Sequence, residues 1–337
     1  MALVPTDQMF AAQKSRNFLK KKISLFFEER GFLDVETPVV VQAPGIEVHQ
    51  QYFSTKWRYY DGQEQSFFLR SSPELHMKRL LSEKMPRIYQ IGKCFRNGGE
   101  YSQWHHPEFT MLEWYEVGAS LNKIVADTEE LIRTVWEEFR LNNFSGSKIE
   151  KNKLPPLKRI SVFDAVREFV GIVLVDGDVD LAKKAIQSGV ISVKPNDDFE
   201  TAYFKILIEK IEPKLEQLEF CVLFDFPPSQ SALSKVINGR AQRFEFYLFG
   251  VELSNGYLEE MSEAEVTLRL KTTNKNRLKL GYDEIPRDEN FFASLREFSS
   301  EVCGNALGFD RLLALILSEN SIKPLVGFES DYSGLLN

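Results

Sequence analysis

The spacing of the strand-like segments is the feature that most limits what this chain can fold into. Stretches rich in β-branched and aromatic residues, which favour strands, occur at 35–41, 66–70, 87–97, 109–117, 220–227 and 243–253. Helical patterns are clustered between them, at 7–30, 73–83, 121–140, 161–218, 263–280 and 308–317. Because helices and strands do not alternate strictly, the pattern predicts an α+β fold, with an antiparallel sheet flanked by helices.

The composition is that of a folded protein with no general affinity for polyanions. Of 337 residues, 43% are hydrophobic, which supplies a substantial core. The net charge of -7 gives no overall attraction to nucleic acid or to an anionic membrane. The three cysteines lie far apart without a CxxC pair, which argues against a zinc site or a secreted disulfide framework. With no export signal and no apolar run of spanning length, we expect a cytoplasmic protein with no membrane partner.

Two arginines lie in segments that suit the binding of an anion. Arg96 ends one strand, and a polar, glycine-containing loop and a second strand follow it, so a hairpin can bring its guanidinium to a phosphate. Arg311 lies in the first turn of an apolar helix after Gly304 and Gly308, which allow close backbone approach. An exposed ion pair for Arg96, and a simple salt bridge for Arg311, stay open as alternatives. The chain has neither GxxxxGK[ST] nor GxGxxG after a strand.

Two carboxylates stand seven residues apart in a strand-like run rich in Tyr, Phe and Leu. If this run turns near Gly250, Glu245 and Glu252 can meet at one cation. Carboxylate pairs of this kind share Mg²⁺ with the phosphates of a nucleotide. The alternative of two outward-facing strand residues stays open.

Taken together, these segments resemble the three signature motifs of class II aminoacyl-tRNA synthetases. Residues 29–40 resemble motif 1, which forms the dimer interface in that family, and residues 95–116 resemble motif 2. Residues 304–312 resemble motif 3. The resemblance implies that Arg96 contacts the α-phosphate of ATP and that Arg311 contacts the γ-phosphate, so these two are the expected catalytic residues.

The resemblance also implies the rest of the ATP site. We expect ATP and Mg²⁺ as cofactors, with Glu245 and Glu252 as the metal ligands. The residues expected to contact ATP are Arg96, Asn97, Glu100, His105, His106, Glu245, Glu252, Gly308 and Arg311. The motif 2 loop is one residue longer than is usual, with Gly98 and Gly99 before Glu100, so the residue that contacts adenine stays open.

The resemblance covers most of the chain. We therefore expect one class II synthetase-like catalytic domain over residues 1–337, with a mainly helical insertion at about 155–218 between motifs 2 and 3. Motif 1 implies a homodimer. Because motif 1 begins within the first thirty residues, we expect no N-terminal anticodon-binding OB domain and no tRNA partner.

Within the class, the chain is most similar to the lysyl branch. Residues 71–80 resemble the SPE motif of that branch, which implies that Glu74 receives the substrate amino group, and residues 253–260 resemble its ANGFSEL segment. The implied amino-acid site consists of Ser72, Pro73, Glu74, Glu113, Tyr115, Asn255, Tyr257, Glu259 and Ala306. A substrate with two ammonium groups needs several carboxylates, and the site supplies them.

A lysyl-like core of this length resembles the elongation factor P–(R)-β-lysine ligase (GenX) family. Motif 3 has Ala306 where lysyl-tRNA synthetases have glycine, and one added methyl beside the pocket can disfavour α-lysine. The resemblance implies activation of (R)-β-lysine, or lysine, as an adenylate and transfer to a lysine of elongation factor P. The alternatives are a stand-alone lysine-activating paralogue acting on tRNA or a small-molecule amine, and a catalytically silent regulatory paralogue. No general base is assigned to the transfer step.

Overall fold

The computed structural model describes residues 6–98, 102–142 and 153–326. Its helices are α1 (Thr6–Glu28), α2 (Glu74–Ser82), α3 (Leu121–Leu141), α4 (Val162–Val170), α5 (Leu181–Gln187), α6 (Phe199–Ile206), α7 (Glu212–Leu218), α8 (Glu263–Lys279), α9 (Glu289–Ser294), α10 (Phe309–Ile316) and α11 (Lys323–Val326). Its strands are β1 (Leu33–Asp34), β2 (Val40–Val41), β3 (Ser54–Arg58), β4 (Glu64–Leu69), β5 (Arg87–Phe95), β6 (Glu108–Val117), β7 (Lys158–Ser161), β8 (Phe220–Phe226), β9 (Val236–Ile237), β10 (Arg240–Leu248), β11 (Val251–Leu258) and β12 (Val302–Gly308).

Internal contacts divide the chain into two compact units. The first consists of residues 1–119, 130–152 and 261–337, and the second of residues 120–129 and 153–260. The expected single catalytic domain stays a prediction. The mixture of helices with mostly antiparallel strands confirms the predicted α+β class.

The first unit is built on the strands β1, β5, β6 and β12. β5 pairs antiparallel with β6 from Arg87 opposite Glu116 to Phe95 opposite Glu108, and β12 pairs antiparallel with the other edge of β6. The short β1 is parallel to β5. A smaller sheet in the order β2–β4–β3 belongs to the same unit.

In the core of the first unit, helix α1 packs against strands β5 and β6. Phe27 of α1 stacks on Tyr89 of β5 at a ring distance of 4.8 Å and lies 5.3 Å from the ring of Trp114 of β6. Aromatic contacts of this kind hold helix and sheet together beyond the area that they bury. α1 ends before Gly31, whose φ of +72° suits a helix terminus, as the sequence predicts.

Helix α2 covers one face of β5 and β6. The sequence predicts Ser72 as its cap and Pro73 as its first residue, and the structure begins the helix one residue later, at Glu74. The Ser72 hydroxyl still accepts a hydrogen bond from the Glu74 backbone N–H, at 3.1 Å. The start of α2 therefore fixes where Glu74 lies.

The second unit contains the strands β7 to β11. β7 is parallel to β8, and β8, β10 and β11 are antiparallel in that order. The β10–β11 hairpin turns at Phe249 and Gly250, which both have positive φ, so the turn expected near Gly250 is confirmed. α4 to α7 pack with β8 around an apolar cluster that includes Val166, Ala202 and Leu223. The predicted helical segment 161–218 lies in this unit.

Two predicted elements differ from the structure. The strand predicted at 35–41 is present only as β2. Pro38 has no N–H for a ladder, and the carbonyls of Thr37 and Pro38 accept hydrogen bonds from the Arg70 guanidinium instead. Within the predicted helical segment 161–218, the stretch from α6 to α7 is interrupted by a π-helical turn at Leu207–Ile211 ahead of Pro213, which cannot donate to the helical ladder. Within the described ranges, no helix combines the length and hydropathy needed to cross a membrane.

Candidate active site

The β5–β6 hairpin places Arg96 directly after β5. Its backbone N–H donates to Pro107 O at 3.0 Å, and its guanidinium lies 5.2 Å from the ring centroid of Phe109. The buried Nε of Arg96 has no hydrogen-bond partner among the described residues. A buried donor without a partner is costly, so this atom suits contact with a ligand oxygen. The neighbouring Asn97 forms an isolated bridge with Gln51 and is exposed.

The motif 2 loop meets Arg311 at the start of α10. Arg311 donates from Nε to Trp104 O at 3.2 Å, and its Nη2 lies 2.9 Å from His105 Nε2. Since a guanidinium only donates, His105 Nε2 accepts and its proton lies on Nδ1, 2.7 Å from Ser102 Oγ. The structure therefore brings two expected ATP contacts, Arg311 and His105, together. Glu100 lies outside the described residues.

His106 and Gly308, which are also expected ATP contacts, take part in the local packing of the site. His106 is buried, and its Nδ1 lies 2.6 Å from Glu108 O, which fixes the ring against the start of β6. Gly308 precedes α10, where an added Cβ would lie 3.3 Å from Arg311 Cδ. Glycine at this position therefore leaves room for the Arg311 side chain.

Asp310 anchors the start of α10 against β6. Its carboxylate accepts a hydrogen bond from the Thr110 backbone N–H at 2.6 Å and forms a buried ion pair with Arg16 of α1. Arg16 also donates to Leu325 O at 3.1 Å. Because Asp310 precedes Arg311, this network fixes the position from which Arg311 extends.

The first unit also holds part of the expected amino-acid site. Glu113 and Tyr115 share one face of β6, and the Tyr115 hydroxyl donates to Glu113 Oε1 at 2.5 Å. Ala306 lies directly opposite Glu113 in the β6–β12 pairing. Residues opposite one another in an antiparallel pair have neighbouring side chains, so the Ala306 methyl lies on the same face of the sheet as the Glu113 side chain and next to it.

Glu74 has a partner that the sequence interpretation missed. Lys78, one turn further along α2, donates from Nζ to Glu74 Oε1 at 2.7 Å, and its side chain is only 1% exposed. Its Nζ lies 5.9 Å from the ring centroid of Tyr115. The available signal was a lysine four residues after a carboxylate in the same helix.

The second unit carries the remaining expected residues on β10 and β11. Glu245 lies opposite Asn255, and Arg243 lies opposite Tyr257. Asn255 and Tyr257 are followed on the same face by Glu259, which is buried and whose backbone bridges to Ser234.

Arg243 is a further residue that the sequence interpretation missed. It forms an ion pair with Glu245 and donates from Nε to Asn255 Oδ1 at 3.1 Å. Tyr247 also donates to Glu245, at 2.8 Å. The signal was an arginine two residues before Glu245 in an aromatic strand.

The electrostatics of Glu245 suit a nearby cation. Burial raises the pKa of the Glu245 carboxyl, Arg243 opposes this shift, and the negative charge of Glu252 raises the pKa further. Two carboxylates that repel each other are the donor set that a divalent cation neutralises. In the described ranges no cluster of three or more His, Cys, Asp or Glu side chains could hold a metal alone. The two glutamates therefore fit a Mg²⁺ ion whose remaining ligands are phosphate oxygens and water.

Comparison with known proteins defines the class to which this fold and site belong. A family model described as tRNA synthetases class II (D, K and N) matches residues 2–331. The chain therefore belongs to the class II tRNA synthetase family, which confirms the predicted catalytic core. Enzymes of this class are ATP-dependent ligases, and the prediction of that activity class is also confirmed.

The chain is also similar to curated relatives along almost its whole length. It is 35% identical to the elongation factor P–(R)-β-lysine ligase of Vibrio cholerae, over 94% of each chain. It is 32% identical to the protein of the same name from Haemophilus influenzae, over 94% of this chain and 95% of that one. The corresponding protein of Proteus mirabilis is 33% identical, over 93% and 94% respectively.

Proposed function

We propose that the protein activates (R)-β-lysine, or lysine, as an adenylate and transfers it to a lysine of elongation factor P. The observation that carries this proposal is the similarity to relatives named for that reaction, which extends over 94% of this chain. The alanine beside Glu113 supports the same substrate, because it narrows the space next to a carboxylate of the amino-acid site. The alternatives of a tRNA-charging enzyme and a silent paralogue are not favoured.

Arg96 and Arg311 bind the phosphates of ATP. Arg96 has a buried guanidinium N–H available for the α-phosphate, where negative charge changes during attack by the amino-acid carboxylate. Arg311 anchors the γ-phosphate, with His105 orienting its guanidinium. Glu245 and Glu252 would hold Mg²⁺, which neutralises the triphosphate when bound. Positioning and charge stabilisation are enough for this step, and no side-chain nucleophile is needed.

The carboxylates bind the ammonium groups of the substrate. Glu74, Glu113 and Glu259 are buried or half-buried, so each forms a stronger ion pair than an exposed carboxylate would. Ser72 and Pro73 precede α2 and hold Glu74 through the start of that helix, and Asn255 and Tyr257 of β11 are the further side chains that we assign to amino-acid binding. We further infer a homodimer formed through motif 1 and a reduced, cytoplasmic location, the latter from three buried free cysteines.

Amino-acid-dependent exchange of pyrophosphate into ATP tests the activation step. We expect exchange with (R)-β-lysine that exceeds exchange with α-lysine, and no exchange with aspartate, which lacks a second ammonium group. Glu259→Gln should lower exchange with both lysine isomers. Exchange that is equally fast with aspartate, or that is absent with both lysine isomers, would contradict the proposal.

A further inference from the structure

Lys78 is a buried charge for which the reaction described above has no use. Its side chain is 1% exposed, and an ammonium group at such a position is costly unless it is paired. One partner of this ammonium group is Glu74 Oε1, at 2.7 Å. Replacing such an ion pair by apolar side chains is often neutral for stability or increases it, so stability alone does not explain a lysine there.

The two oxygens of Glu74 have different surroundings. Oε1 is held by Lys78, whereas no described residue donates a hydrogen bond to Oε2. The Glu74 side chain is 21% exposed while that of Lys78 is 1% exposed, so Glu74 is the member of the pair that a ligand can reach from solvent. Oε2 is therefore the atom that an incoming ammonium group can reach.

Other polar and charged groups lie near the Lys78–Glu74 pair, and their contacts show how they differ from Lys78. Tyr115, 5.9 Å from the Lys78 Nζ, connects it to the Glu113 carboxylate. The next residue of α2, Arg79, pairs with Asp288 instead, with its Nη1 3.7 Å from Asp288 Oδ2, and that pair does not include Glu74. Among the described residues Lys78 is the cation that contacts Glu74 directly.

We propose that Lys78 is a positioning residue of the amino-acid site, acting through Glu74. It holds Oε1 of the carboxylate, so that Oε2 is presented to the ammonium group of the substrate. Without Lys78, the half-buried carboxylate rotates out of this position and binds the ammonium group less well. This role rests on the proposed function, since it assigns Glu74 to substrate binding.

The proposal predicts that the effect of Lys78→Met depends on the residue at position 74. When Glu74 is present, the variant removes the donor that holds its carboxylate, and the KM for the amino acid should rise on the order of tenfold. The KM for ATP should stay within about twofold, because the arginines that bind phosphate are unchanged. When Glu74 is Gln, no carboxylate is left at position 74 for Lys78 to hold, so adding Lys78→Met should change the KM for the amino acid by no more than about twofold.

The experiment measures pyrophosphate exchange for wild type, Lys78→Met, Glu74→Gln and the double variant. Lys123→Met is the matched control, since Lys123 forms a similar helical ion pair with Asp127 at 2.7 Å but is 42% exposed. Calorimetric titration with each lysine isomer reports binding separately from activity. If Lys78→Met does not fold, the double variant compared with Glu74→Gln still tests whether Lys78 acts only through Glu74.

The outcomes separate this proposal from the proposed function. A rise in the KM for the amino acid when Glu74 is present, with no further change when position 74 is Gln, supports the role of Lys78. An unchanged amino-acid KM in Lys78→Met, a parallel rise in the KM for ATP, or the same effect in both backgrounds overturns it while leaving the proposed function intact. A wild-type protein that binds neither lysine isomer overturns both.

Discussion

Arg311 shows that the place of one charged residue in the sequence can predict the kind of group that it binds. Its place in the first turn of an apolar helix predicts an anionic partner, because burial of an unpaired charge is costly. The structure adds what sequence could not give: its guanidinium contacts Trp104 O and His105, about two hundred residues earlier in the chain. Such contacts depend on the conformation of the motif 2 loop. Lys78 and Arg243 were missed for the same reason, since only the fold shows which side chains they reach.

The first prediction concerns Arg311. Arg311→Ala should reduce amino-acid-dependent pyrophosphate exchange about a hundredfold or more, because a charge-stabilising donor to the triphosphate is lost. The control is Arg58→Ala, which removes an arginine that is 76% exposed on β3 and should leave exchange unchanged. Undiminished exchange by a folded Arg311→Ala protein would remove this residue from the ATP site.

The second prediction concerns Ala306. Ala306→Gly removes the methyl beside Glu113. It should raise activity with α-lysine relative to (R)-β-lysine by about tenfold, because one methylene in a pocket changes the discrimination between two substrates by roughly that factor. The ratio of kcat/KM for the two isomers is the measurement. If the wild type already prefers α-lysine and the ratio does not change, the proposed role of Ala306 is wrong.

At the scale of elements, the sequence predicted most helices and strands because their patterns are long and periodic. β6 and α8 lie where the sequence pattern places them. The strand predicted at 35–41 is present only at Val40–Val41, because β-branched residues alone do not form a ladder, and here the Thr37 backbone carbonyl binds Arg70. The interruption of the helix at Leu207–Ile211 could be anticipated only in part, from Pro213.

The third prediction concerns Glu209, which lies in the π-helical turn Leu207–Ile211. Glu209 accepts hydrogen bonds from the Ser192 side chain and from the backbone N–H groups of Ile191 and Ser192, which lower its pKa from 4.5 to about 2. A lowered pKa stabilises the fold above the unfolded pKa, and this contribution is lost as pH falls through the folded pKa. Glu209→Gln should therefore lower the melting temperature at pH 7.

The pH dependence distinguishes this contribution from a general effect of substitution. The difference in melting temperature between wild type and Glu209→Gln should be constant down to about pH 4.5 and should shrink between there and about pH 2. Glu168→Gln, at an exposed position of α4, is the control and should show no such trend. A difference that grows on acidification would contradict the assignment.

At the scale of the whole molecule, motif 1 leaves apolar side chains exposed. Leu25, Leu33, Val39 and Val40 are between 37% and 53% exposed along one continuous stretch of chain. An apolar surface of this kind marks an association site, and a two-fold interface would use it on both copies. These residues support the proposed homodimer.

The fourth prediction is therefore an assembly with twice the mass of one chain. Sedimentation equilibrium at micromolar concentration should give the dimer, and Leu33→Glu with Val40→Glu should shift the protein to monomer by placing charges in the interface. The control is Val179→Glu, at a residue that is 92% exposed in the second unit. A wild-type protein that sediments as a monomer would refute the homodimer.

The central claim is the transfer of an activated lysine isomer to a protein. The most direct measurement offers purified protein, ATP and labelled (R)-β-lysine either elongation factor P or bulk tRNA, and follows the label in each acceptor. We predict label on a single lysine of elongation factor P and none on tRNA, and loss of the label with Arg311→Ala. Label on tRNA, or on neither acceptor although pyrophosphate exchange is active, would contradict the account.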